Sequence, residues 1–146
     1  MAINTQKVLV GGLAAGVVLN VIDFVTNMYI LGDRMKAESE AFKPGLSEQM
    51  MSGKAMYAYI VMDFILGILL VWTYAAIRPR FGPGLRTATY AALLFWVLGG
   101  IFYSGYMMMG MTSAGLWWTL AIVALINLLA AGWVGARLYT EEGATA

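Results

Sequence analysis

The sequence predicts an all-α integral membrane protein whose four transmembrane helices pack as an antiparallel bundle, and three observations predict it. Of its 146 residues 61% are hydrophobic and only 12% charged, with a mean hydropathy of +0.75. Soluble domains carry roughly 25% charged residues. Apolar runs near residues 8–31, 55–77, 88–111 and 115–138 each reach the ~20 residues that a bilayer requires. Each run also places small or polar residues at helical spacing, as expected of a helix that buries one side. The whole chain, 1–146, reads as a single membrane domain with an outer loop at 32–54 and an inner loop at 78–87.

The first helix follows Lys7 and runs to Leu31 without a break. Its start, "MAINTQKVLVGGLAAG", has features of a signal sequence, but the unbroken apolar continuation favours an uncleaved first span. Gly12, Gly16, Asn20, Asp23 and Asn27 recur at steps of four, four, three and four, which makes one stripe. Small residues at the inner end of the stripe allow a neighbouring helix to come close. The outer end is amide, carboxylate, amide.

In the outer loop "RMKAESEAFK" contains good helix formers, and Pro44-Gly45 then breaks the chain. Ser47 is expected to cap a restart through "SEQMMSGKAMY", with Gly53 as its weak point. On this reading the first two helices extend beyond the membrane as a helical hairpin with its tip at Lys43-Pro44-Gly45; a disordered loop is the alternative of equal standing. The second helix carries Met56, Tyr59, Asp63 and Gly67 as its stripe. Asp23 lies 21 residues before Pro44 and Asp63 lies 19 after it. In an antiparallel pair that difference amounts to ~3 Å of depth, so the two acids are expected at one level, ~12 Å below the outer edge.

"RPRFGPGLR" forms the inner loop, and its "GPG" is a turn signal rather than a phosphate loop, because no Lys-Ser/Thr and no strand accompany it. The third helix offers Gly99, Tyr103, Tyr106 and Gly110, and the fourth Ala124, Asn127, Ala131 and Gly135. Trp117 and Trp118 suit an aromatic belt at the start of the fourth helix, and central Trp96 is expected to pack inside the bundle. The candidate binding site is therefore Asp23, Asp63, Asn20, Asn27, Tyr59, Tyr103 and Asn127, all expected in the bundle interior.

Lys7, Arg78, Arg80, Arg86 and Arg137 fall on one side, against Arg34, Lys36, Lys43 and Lys54 on the other. The density of the short Arg78–Arg86 loop decides the orientation under the positive-inside rule. Both termini are expected in the cytoplasm, with the chain in the cell (inner) membrane.

The chain has no Cys and no His, which removes disulfides, iron–sulfur clusters, His-ligated haem, and Cys or His catalysis and zinc ligation. No metal and no cofactor is expected. A net charge of +1 lacks the basic footprint of nucleic-acid binding. Ten methionines beyond the initiator fall in the outer half, four of them in "YMMMGM". Thioethers select Cu(I), but consecutive Met107–Met109 point in different directions around a helix, so flexible packing is the favoured reading.

In helix number, and in carrying an acid in its first helix, the chain resembles the small multidrug transporters; its long charged first loop and its second acid, Asp63, depart from them, and no family is assigned. Two functions compete. The leading one is a non-catalytic accessory, scaffold or assembly subunit of a membrane complex, held as a homo-oligomer or with other membrane subunits in the lipid bilayer. The alternative is a small proton- or cation-coupled transporter or channel using Asp23 and Asp63, because intramembrane acids commonly mark ion pathways. A lipid-modifying enzyme is weakest, since no nucleophile stands out.

Overall fold

The computed structural model describes residues 3–141, which form six helices and no strand. Four are long and apolar enough to cross a membrane. α1 (Thr5–Val25) continues through a π-helical turn at Thr26–Ile30; α2 (Gly32–Phe42) and α3 (Leu46–Met50) follow; α4 (Gly53–Phe81), α5 (Leu85–Met108) and α6 (Ala114–Leu138) complete the chain.

Side-chain caps set three of the starts. The Asn4 carboxamide oxygen accepts from the Lys7 amide at 3.1 Å, the Ser52 hydroxyl from Ala55 at 3.3 Å and the Ser113 hydroxyl from Leu116 at 3.2 Å, each satisfying an amide that lacks an intrahelical partner. α4 runs through Pro79 to Phe81, beyond the end of the apolar run near 77. Proline forfeits one amide bond, but the helix closes soon after, where Gly82 at φ +85° donates its amide to the Arg78 carbonyl at 2.9 Å. The connection to α5 thus shrinks to Gly82–Gly84.

The segment between α1 and α4 differs from two continuous extended helices. The path bends at Leu31, and the restart beyond Gly45 stops at Met50, so α4 begins afresh at Gly53 behind the Ser52 cap. Ser47 is not a cap: α3 starts at Leu46 behind Gly45, and the Ser47 hydroxyl and amide both donate to the Glu40 carboxylate. The acid four residues before the turn outcompetes the local cap.

Packing is tightest between α1, α4 and α6. A Cβ on Gly67 would lie 2.5 Å from both the Gly12 carbonyl oxygen and the Gly16 amide nitrogen, so the two backbones touch. Read from Gly12 to Asn20, α1 meets Ile68, Phe64 and Ile60 of α4 in turn. A Cβ on Gly11 would lie 2.7 Å from the Gly135 carbonyl oxygen of α6. Ala15, Leu19, Leu70, Val71, Ala91, Ala92 and Ala131 fill the space around these crossings and are buried.

This core sits toward one end of the molecule, called here the arginine end. There Tyr139 accepts the Asn4 amide at 3.3 Å, meets the edge of Tyr74 at 5.9 Å and lies under Arg78, which pairs with Glu141 at 2.9 Å. The opposite end, with α2 and α3, is the loop end.

Candidate functional site

Each long helix carries its small or polar stripe, and burial along the stripes of α1, α4 and α6 fades from the arginine end to the loop end. On α1 Gly12 and Gly16 are buried, Asn20 and Asp23 half-buried, and Asn27 exposed. On α4 Gly67 is buried, Asp63 half-buried, and Tyr59 and Met56 exposed. On α6 Gly135, Ala131 and Asn127 are buried while Ala124 is exposed. α5 is the least covered: Gly99, Tyr106 and Gly110 are exposed and Tyr103 half-buried.

The structure brings Asp23 and Asn127 together. The Asn127 amide nitrogen donates to Asp23 Oδ1 at 2.7 Å and also approaches the Leu19 carbonyl at 3.4 Å. Asn127 is only 3% exposed, and its Oδ1 is buried with no donor among the described residues. A buried unpaired acceptor is costly. Asp63 lies within electrostatic reach of Asp23.

The other site residues are more loosely assembled. Asn20 donates to the Gly16 carbonyl on its own helix at 2.9 Å and approaches the Ile60 carbonyl of α4 at 3.4 Å, so it bridges α1 and α4. Asn27 does not face the interior. Its amide is spent on the Asp23 backbone carbonyl at 2.8 Å, and this end of the helix is left exposed. Tyr59 is 48% exposed because nothing covers this part of α4, which also corrects the expectation of an interior position. Tyr103 sits against Tyr106, ring centroids 5.3 Å apart, rather than against the acids.

Seven of the methionines are exposed and spread over α3, α4, α5 and the links between helices. Two contacts escape a reading of the sequence. Trp96 donates its indole N–H to the Ala121 carbonyl at 2.7 Å, fastening α5 to α6. Glu38 of α2 accepts from the Ser113 amide at 2.8 Å and its hydroxyl at 2.7 Å, and pairs with Arg34 at 3.5 Å. Desolvation opposes the Glu38 charge, but the Ser113 hydrogen bonds and Arg34 outweigh it and hold the carboxyl below the ordinary glutamate value of 4.5. A separation of 75 residues leaves no local signal for this clasp.

Fold and site define an all-helical protein with four helices apolar enough to span a membrane and a carboxylate–amide contact between two of them. No protein-family model, curated protein or solved structure matches the chain.

Proposed function

We propose that the protein is a non-catalytic accessory or scaffold subunit of a membrane complex, inserted in the inner membrane as an antiparallel four-helix bundle with both termini in the cytoplasm. The observation that carries this reading is the fading burial of the polar stripes, because Tyr59 left exposed and Asp63 and Tyr103 only half-covered by their own chain call for a neighbour. The dense Arg78, Arg80 and Arg86 segment supports the orientation. Asp23 and Asn127 then act as a fastener between helices, a role that interhelical side-chain hydrogen bonds commonly fill in membranes.

The test is photocrosslinking in native membranes from position 102 on α5, with position 17 on the opposite wall of α1 as comparison. The expected result is one protein adduct of constant mass from position 102 and none from position 17. Proton- or cation-linked flux through purified protein in vesicles, abolished by Asp23→Asn in a folded protein, would overturn the reading.

One observation favours that second reading. Asn127 Oδ1, buried without a donor, adjoins Asp23 and stands near the field of Asp63. A proton or a small cation would supply what the oxygen lacks. In that case Asp23 and Asp63 are the exchanging pair and Asn20 an auxiliary ligand.

A further inference from the structure

Resting on the accessory reading, we infer that the uncovered loop-end halves of α4 and α5 dock a transmembrane helix of a different protein, one that carries a lysine or arginine at the depth of Asp63.

Toward the loop end α4 and α5 are both left uncovered. The buried residues of α5, Thr87, Ala88, Ala91 and Ala92, all lie near its start. Farther along, Ile101 is 63% and Phe102 78% exposed. A Cβ on Gly99, Gly100 or Gly105 would meet nothing within 4 Å. On α4 every residue from Met56 to Met62 is exposed. Glycines with open space beside them admit a helix at close range.

Lipid chains would cover the apolar part of this surface but not Asp63. Its carboxyl is half-buried and makes no hydrogen bond among the described residues. A polar group in hydrocarbon requires a partner, and intramembrane acids usually find one in a base or a backbone carbonyl.

Charge identifies the occupant. The chain has no Lys or Arg between Lys54 and Arg78, and none between Arg86 and Arg137. The nearest cation on α4, Lys54, is nine residues from Asp63, or ~13 Å along a helix. A second copy on this face would bring carboxylate toward carboxylate and no cation to that level. The complement is a basic residue on another chain.

The experiment uses the full chain in phosphatidylcholine vesicles, labelled through Gln49→Cys, the native protein having no cysteine. Energy transfer is measured to a synthetic Leu/Ala transmembrane helix bearing one Lys in its outer half, and to the same helix with Leu there. We expect the Lys helix to associate about tenfold more tightly. Asp63→Asn should reduce it to the level of the Leu helix, and Asp63→Glu should restore the preference. Gly100→Leu, which fills open space and is not expected to lower the thermal midpoint, should weaken the Lys helix about as much. Equal association of the two helices, or a preference that survives Asp63→Asn, overturns the inference. So does copy-to-copy disulfide formation through Phe102→Cys in the absence of peptide, which would make a second copy the occupant. A single-protein adduct from position 102 alongside such a failure would leave the accessory reading standing.

Discussion

Asn127 of α6 donates its side-chain amide to the carboxylate of Asp23 on α1, 2.7 Å away and 104 residues earlier in the chain. The pair lies where the glycine- and alanine-lined core gives way to the more open loop end. Asparagine at position 23 keeps an acceptor for the same bond, and interhelical bonds of this kind contribute ~0.6 kcal/mol on average. Asp23→Asn is therefore expected to lower stability by under ~1 kcal/mol. Asn127→Leu should cost about 2 kcal/mol, because it strands the buried carboxylate and strains the site. Reversible unfolding in mixed micelles, followed by circular dichroism, compares the two.

The Gly67 crossing makes a sharper demand. A methyl group there would meet the Gly12 and Gly16 backbones at 2.5 Å, and backbone cannot swing aside as a side chain can. Gly67→Ala is expected to destabilise the protein by about 1–3 kcal/mol, the range for overpacked cores. Wild-type stability in that variant would mean that α1 and α4 are not in backbone contact.

Gly100 should behave in the opposite way. It is helical with open space where a Cβ would go, so Gly100→Ala restricts the unfolded chain without a clash. A gain of about 0.5–1 kcal/mol is expected for the isolated protein. Measured side by side, the two glycine variants should move the thermal midpoint in opposite directions.

The Glu38–Ser113 clasp has a pH signature. Because folding lowers the Glu38 value beneath 4.5, the clasp contributes fully above about pH 4.5 and is lost as pH falls through the lower folded value. Amide exchange at Ser113, which donates to Glu38, should quicken relative to buried α1 amides as pH drops from neutral toward about 3, after correction for intrinsic rates. Glu38→Gln should remove that pH dependence. A wild-type profile identical to that of Glu38→Gln would refute the assignment.

How much of this was legible in the sequence differs from residue to residue. Asp23 and Asn127 each stood out at steps of three and four along their own helices, yet nothing in either stripe says how far one helix slides or turns against the other. Asn27 belonged to the same stripe on paper but is left uncovered by any other helix, which periodicity does not encode. The apolar run of the second helix ends near 77, yet α4 continues through Pro79 to Phe81, where Gly82 closes it. Trp96 was expected to pack inside the bundle and does pack against the core, but its bond to Ala121, like the Glu38 clasp, could not be read because the partners are distant in the chain.

By itself the sequence determined the four long apolar helices, the absence of thiol and imidazole chemistry, and which residues on each helix are small or polar. These follow from composition, run length and the helical repeat, which are local properties. Only the tertiary structure decided that the glycines of α1, α4 and α6 meet backbone to backbone, that burial fades toward the loop end, and that Asp23 holds Asn127 while Asp63 is left without a hydrogen-bonding partner among the described residues. Those outcomes depend on how whole helices rotate, slide and diverge, and that is settled by the sum of many contacts between residues far apart in the chain.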